Sequence, residues 1–429
     1  MKPIRVAIAG MGGFAGSHHH AVARLEERGL AKLVATCDPQ PEAFEAEQFS
    51  WRFGSRGVQV FADYRAMLGA CHPELDVVVL PTPIQLHAEM HAAATALGLP
   101  TYLEKPPTLD YRELEAMIAA DTRARRASLV GFNFIIEKAR LSLKERLLAG
   151  EFGAIRGATL SALWPRPASY FARNAWAGRL VVGEHIVVDS CFGNAMAHFV
   201  HNLLFWTGGP ELFSWAQLAA VRAELYRAHA IEGADTFFVE MDTTTGITMR
   251  FALSHACAGA STHTEIVLCD KAALRYAVGR QIEIRWNDGR SERIDLEPFD
   301  PLAENHADYY RYLRGETDRP ATTLVDSRPF VALNDLAYVS SGRIAAIPPE
   351  LISGVRDEKD QKDYLQVAGM PATQENFLVR GVWPGASGWA RDPGEVVTPA
   401  DLPRFHEVVR AMTGIRETPG AHLQAREKS

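Results

Sequence analysis

IRVAIAGMGGFAGSHHHAVARLEERG (residues 4–29) is a β-branched run that breaks at a cluster of glycines and resumes as a helix-forming segment. Gly10, Gly12 and Ala15 fit the pattern G-x-G-x-x-A, with Gly13 and Phe14 inside it and Gly16 next to it. A strand–turn–helix of this kind suits a pyrophosphate. The first glycine permits the tight turn, the second admits the phosphates to the backbone, and a small third residue lets helix and strand pack closely. The helix N-terminus then offers its free N–H groups to the anion. Such a glycine pattern is weak evidence alone, but a second strand, AKLVATCD, follows and ends in Asp38. A carboxylate there accepts both ribose hydroxyls of an adenosine and repels a 2′-phosphate, which favours NAD over NADP. Arg52 and Arg56 lie close enough in sequence to meet a phosphate if one were present.

The alternation continues outward. ELDVVVLPTP reads as a third buried strand that Pro81-Thr82-Pro83 ends, LHAEMHAAATALG as an amphipathic helix, and PTYLEKPPTLD as a strand ending in Glu104-Lys105-Pro106. A further helix and the strand element ASLVGFNF follow. Strands alternating with helices through short links indicate a doubly wound parallel sheet with ligands at its carboxyl ends. We place this domain at residues 1–130, a second α/β domain at 131–347 and a C-terminal extension at 348–429.

The segments AIAGMGGFAGSHH, VVVLPTPIQLHAEMHAAATALGLPTYLEKP and GFNFIIEKARLSLKERLLAGEFGAIRGATL together resemble the Gfo/Idh/MocA family of sugar and polyol oxidoreductases. The pairing of TP-x-x-x-H with EKP carries the likeness, which is good to about residue 163 and local afterwards. The resemblance implies an N-terminal Rossmann domain and a C-terminal α/β domain with a large, mostly antiparallel sheet, the substrate lying between that sheet and the nicotinamide. It implies that Lys105 contacts the substrate hydroxyl and the nicotinamide ribose, and that His198 is the acid/base. Members commonly carry aspartates four residues before and three after that histidine, where this chain has Asn194 and His201. Cofactor contacts are expected from Gly10, Gly12, Gly13, Phe14, Ala15, Asp38, Pro81, Thr82, His87, Glu104 and Lys105.

The residues themselves support chemistry at that place. In DSCFGNAMAHFVHNLLFWTG, from Asp189, the polar heads of Asn194, His198 and His201 fall on one stripe of an otherwise apolar helix. Oxidising a secondary alcohol requires a base for the hydroxyl proton, and imidazole serves in both directions near neutral pH. Lys105 can polarise or share that proton, Asn194 can orient a hydroxyl without titrating, and Asp189 is the nearby carboxylate. Satisfied core polars are the bland alternative, and His201 is evenly balanced between the two. His198 and His201 stand at i, i+3, but no third ligand is fixed, so no metal is expected. The loop RNAWAGR offers Arg173, Asn174 and Trp176 to a sugar, or is a surface loop anchored by its tryptophan. Of HHH at 18–20, His18 is expected on the cofactor side and His19 and His20 in solvent.

The remaining features bound the class. With 429 residues, 47% hydrophobic, 23% charged and a formal net charge of −7, the chain has no basic balance for nucleic acid and no apolar run for a bilayer. Its five dispersed cysteines read as reduced thiols of a cytoplasmic protein. Residues 230–296 alternate as strands, giving a broad sheet with a free face that suggests a homo-oligomer. The stretches at 302–315 and 325–347 read as helices packing back near the first domain. The reading is an NAD-dependent dehydrogenase of a sugar, sugar acid or polyol. Its rivals are a glycosidase or epimerase using NAD transiently, and a non-catalytic NAD-binding sensor.

Overall fold

The computed structural model describes residues 2–277, 280–389 and 391–413, so part of the extension expected at 348–429 lies outside the described residues. The chain forms two units, one of residues 1–142 with 297–328, the other of 143–296 with 329 onward.

In the first unit, strands β1 (Ile4–Ala9), β2 (Ala31–Cys37), β3 (Gln59–Phe61), β4 (Val77–Leu80), β5 (Thr101–Leu103) and β6 (Leu129–Val130) form one sheet in the order β3-β2-β1-β4-β5-β6. Every pairing is parallel. Helices on both faces explain why β4 is an unbroken apolar run, VVVL, buried at every residue. Each such side chain contributes roughly 1.5–3 kcal/mol by leaving water.

The expected boundaries need correction here. Residues 131–142 and 297–328 belong to the first unit, not the second. The reason is the helix Pro301–Leu313, capped by the Asp300 carboxylate, which accepts the Ala303 N–H. Its Tyr309, Tyr310 and Tyr312 join the apolar core of the first sheet. The Tyr309 hydroxyl lies 3.2 Å from the Thr101 carbonyl and 3.0 Å from that of Ala127. The helix at Tyr111–Asp121 also ends before the arginines of TRARRA, which follow it in a turn.

The second unit has β7 (Ile155–Leu163), a small hairpin β8 (Val181–Val182) and β9 (His185–Ile186), then β10 (Leu218–Arg227), β11 (Thr236–Thr243), β12 (Thr248–Ser254), β13 (Thr262–Cys269), β14 (Ala272–Ala277), β15 (Gln281–Trp286), β16 (Ser291–Asp295) and β17 (Ile344–Ala346). Its nine-stranded sheet runs β16-β15-β14-β13-β7-β12-β11-β10-β17. Neighbours are antiparallel except β7 with β12 and β10 with β17. The stretch expected as one helix at 325–347 is thus the helix Arg328–Ser341 followed by strand β17, and from Pro329 on it belongs to this unit.

The sheet face expected to be free is covered by the chain's own extension. On one face Phe237 and Phe251 meet Phe192, at 5.3 and 5.7 Å between ring centres. On the other, Tyr226 and Phe238 meet Trp389, and Phe238 also meets Phe377 of the helix Met370–Arg380. Gln374 of that helix donates from Nε2 to the Ala252 carbonyl at 2.9 Å and accepts the Ser161 hydroxyl. A second hairpin, β18 (Ile352–Asp357) with β19 (Lys362–Val367), precedes the helix. Beyond it Val397 bridges to Val221. Pairing of this face with a second copy therefore loses its main argument over β10–β12. Gly394 is tightest in the strap: a Cβ there would lie 2.1 Å from the Ala223 carbonyl oxygen. Gly394→Ala is expected to cost about 3 kcal/mol by overpacking. A melting curve and tryptic cleavage of the loosened extension check it.

Among the described residues no helix is long and apolar enough to cross a membrane, and no cluster of metal-ligating side chains occurs.

Candidate active site

In the first unit the glycine loop joins β1 to the helix Ala15–Glu27. Gly10 has φ +110°, open to glycine and strained for other residues. At Gly12 a side chain would meet the Phe44 ring at 2.9 Å. The helix start has no side-chain cap and no acidic residue in its first turn, and Phe14 beside it is exposed. An uncapped helix N-terminus behind a glycine loop is built for an anion. At the end of β2, Asp38 accepts the Met11 N–H at 3.1 Å and the Gln40 N–H at 3.2 Å. Its carboxylate is thereby fixed beside the loop, half-buried. Arg56 is committed to Glu26 and to the Trp51 carbonyl. These residues fit a dinucleotide: Gly10, Gly12, Gly13, Phe14 and Ala15 would hold its pyrophosphate and Asp38 its ribose.

The ends of β4 and β5 carry the other expected cofactor residues. His87 is buried and ties the two ends together, its Nε2 2.9 Å from the Thr82 carbonyl and its Nδ1 3.1 Å from that of Pro107. It braces the Pro81-Thr82 turn from inside. Glu104 is also buried; its Oε2 accepts the N–H of Lys105 at 3.0 Å. Its Oε1 lies 3.1 Å from Nε2 of His18, whose Nδ1 lies 2.9 Å from Nε2 of His306. Nδ1 of His306 lies 3.2 Å from the Tyr310 hydroxyl. One proton arrangement satisfies the whole chain: Tyr310 donates to His306, His306 to His18, and His18 to the carboxylate. Gly131 gives this carboxylate room, since a Cβ there would stand 3.0 Å from Glu104 Oε1.

His18 thus lies against Glu104, and His20 is exposed, but His19 is not in solvent as expected. It is buried, stacked on Trp51 at 4.4 Å, with Nε2 3.1 Å from the Gly10 carbonyl. Burial pulls its pKa down to about 4. Trp51 and Phe53, which shield it, are the physical reason.

In the second unit the expected single helix after Asp189 is two pieces. Cys191–Ala195 is a π-helical turn, started by the Ser190 hydroxyl accepting the Gly193 N–H, and the α-helix runs Ala197–Thr207. Asn194 sits on the turn and His198 on the first turn of the helix, both half-buried. Asn194 donates from Nδ2 to Asp189 Oδ1 at 2.7 Å, and Asp189 Oδ2 accepts the Gly178 N–H at 2.8 Å. Asp189 is buried and orients the asparagine amide. His201 is wholly buried: its Nδ1 accepts the Trp215 indole N–H at 3.3 Å. It packs the core of this unit, which runs against its expected substrate contact. The far end of the helix is capped by the buried Lys144, whose ammonium donates to the carbonyls of Phe205 and Gly208. Burial lowers that lysine's pKa to about 7.

In the loop before Asp189, Arg173 is exposed with its guanidinium 3.6 Å from the Tyr170 ring centre and 5.1 Å from that of Trp176. Asn174 accepts the N–H groups of Trp176 and Ala177, so its carbonyl shapes the turn. Two neighbours escaped sequence reading, Arg166 and Tyr170, although an arginine and a tyrosine flanking a tryptophan loop were the available signal.

Residues 4–132 match the family model described as an oxidoreductase family with NAD-binding Rossmann fold, Gfo/Idh/MocA. Inositol 2-dehydrogenase 4 of Saccharopolyspora erythraea is 34% identical over 154 residues, 35% of this chain but only 43% of that protein. D-apiose dehydrogenase of Paraburkholderia graminis is 25% identical over 309 residues, 71% of this chain and 75% of its own length. The WlbA dehydrogenase of Bordetella pertussis, solved with NADH and UDP-GlcNAcA, superposes with a TM-score of 0.63 at 23% identity, over 79% of this chain and 96% of that one. That likeness is one of fold.

Proposed function

Because residues 4–132 belong to the Gfo/Idh/MocA oxidoreductase family, we propose that the chain is an NAD-dependent dehydrogenase that oxidises a secondary hydroxyl of a sugar, sugar acid or polyol. The observation that carries the reading is the glycine loop with Asp38 fixed beside it, in the same unit as Lys105, whose backbone N–H the buried Glu104 grips. NAD, when bound, supplies the hydride acceptor. His198 takes the hydroxyl proton as the carbon–hydrogen bond breaks, so that a ketone, a reduced nicotinamide and one proton result. Lys105 polarises the hydroxyl oxygen, and the Asn194 amide, held by Asp189, orients a neighbouring hydroxyl. Asp38 stands against the 2′-phosphate of NADP, and Arg56, one of the two arginines that could compensate for it, is already paired with Glu26.

Near-ultraviolet absorbance of the purified protein with NAD and a panel of sugars, sugar acids and polyols tests the reading. A rise at the reduced-nicotinamide band with at least one panel member is expected. Tight NAD binding with no rise and with cleavage or inversion of a glycoside would replace it by transient oxidation. Absence of NAD binding would end it.

A further inference from the structure

We propose that the segment Trp164–Trp176 is a binding site for the anionic group of the substrate, and that the substrate class is therefore an acidic or phosphorylated carbohydrate. The proposal rests on the dehydrogenase reading above and narrows it. Five side chains of this segment form a ladder in which cations and rings alternate. The Arg166 guanidinium lies 5.6 Å from the Trp164 ring centre and 4.7 Å from that of Tyr170. Arg173 lies on Tyr170 and reaches Trp176, at 3.6 and 5.1 Å. Tyr170 thus carries a guanidinium from each neighbour.

Both arginines lack an acidic partner. Their side-chain hydrogen bonds go to main-chain carbonyls, Arg166 to Pro165 and Arg173 to Tyr170. Among the described residues no carboxylate is within ion-pair distance of either, whereas Arg146, Arg250 and Arg328 are all paired. Nε of Arg166 is moreover buried without a hydrogen-bond partner. The hairpin β18–β19, which packs against Ala168–Phe171, has acidic residues, but its Asp363 pairs with Arg356 and its Asp360 accepts the Tyr364 hydroxyl. Two unneutralised guanidiniums, each pre-stacked on an aromatic face, offer planar donor forks suited to a carboxylate or phosphate. The half-buried rings of Trp164 and Trp176 offer the flat apolar contact a sugar face needs.

The backbone under the ladder is held from below. His255 contacts the Trp164 carbonyl through Nδ1 at 2.7 Å and receives the Arg166 N–H on its own carbonyl. His229, paired with the wholly buried Asp235 at 2.7 Å, contacts the Arg166 carbonyl. Such rigid support is what a recognition site requires and a plain surface loop does not. At its other end the segment reaches Gly178, whose N–H binds Asp189, the residue that holds Asn194. The ladder and the proposed reacting residues of this unit are therefore one connected structure.

Isothermal titration of the full chain, saturated with NAD, with D-glucuronate, D-glucose 1-phosphate and D-glucose tests the proposal. Arg166→Gln and Arg173→Gln are titrated in parallel. At least one charged ligand is expected to bind more tightly than glucose, and each substitution is expected to weaken it tenfold to a hundredfold, on the order of one charged hydrogen bond. An unchanged near-ultraviolet circular dichroism spectrum, to which the tryptophans of the second unit contribute, shows the variants folded. Preference for glucuronate over the phosphate identifies a sugar acid, and the reverse a phosphorylated sugar. Equal binding of charged and neutral ligands, or charged binding indifferent to both substitutions, overturns the proposal. Arginine-dependent binding without nicotinamide reduction would sink the dehydrogenase reading and leave this site standing; reduction by neutral sugars that neither substitution affects would do the opposite.

Discussion

Replacing His198 by asparagine or Lys105 by alanine is expected to lower turnover by about two to four orders of magnitude, the usual worth of a positioned proton acceptor or donor. The two should differ in how the loss is distributed. His198 is in the second unit, on the first turn of a helix whose other end Lys144 holds, so its removal leaves the dinucleotide cradle intact. An asparagine there keeps a hydrogen-bonding group of similar reach and loses only the capacity to take a proton. NAD affinity and KM should therefore change little while kcat falls. Lys105 follows Glu104 at the end of β5, in the unit that carries the glycine loop, and its loss should raise the apparent Kd for NAD as well as lowering kcat. In the proposed mechanism both would act on one proton, and the double variant should then fall far short of the product of the single losses. Steady-state kinetics with NAD titrations decide this. A His198→Asn enzyme within threefold of wild type would remove the histidine from the reaction, and a fully multiplicative double variant would separate the two residues' roles.

What the sequence made legible was short-range. The glycine loop, Asp38 and the strand–helix alternation depend on neighbours within one βαβ unit, and their backbone demands are visible in the residue types. Three kinds of feature were not. The His18–His306 contact joins residues 288 positions apart, and nothing local in SHHH or ENHADYY indicates which imidazole faces which. A π-turn looks like helix by hydrophobic period, so Asn194, His198 and His201 read as one stripe, although the turn at Cys191–Ala195 separates the asparagine from the helix and the third residue points into the core against Trp215. The extension has apolar residues, Trp383 and Trp389 among them, but glycine and proline interrupt any period. Only their burial against Tyr226 and Phe238 shows that they cover the sheet. The burial of His19 is hidden for the same reason: its shield, Trp51, comes from a distant turn.

His18→Phe is expected to destabilise the first unit by about 3–5 kcal/mol, the cost of leaving a buried carboxylate without its partner. Glu104 is only 6% exposed, and His18 Nε2 is its side-chain donor beside the Lys105 main-chain N–H. The phenylalanine also strands Nε2 of His306, which is wholly buried. Neutralising the carboxylate in the same background, His18→Phe with Glu104→Gln, should recover about half of the loss, because an amide costs less to bury than a charge. His18→Gln, which keeps a donor, should lose no more than about 1–2 kcal/mol. Acid should destabilise the wild type separately. Burial holds His306 well below its ordinary pKa and His19 down to about 4, so the folded chain binds fewer protons than the unfolded one below about pH 6.5. The stability His19 contributes is complete above that pH and is lost as the pH falls toward 4, and that of His306 is lost in the same direction. Denaturant unfolding of the three variants at pH 7.5, with wild type also followed down to pH 4.5, measures both. If His18→Phe unfolds within 1 kcal/mol of wild type, or the double variant is less stable than the single one, then Glu104 is not an anion held by this imidazole, and its grip on Lys105 has another source.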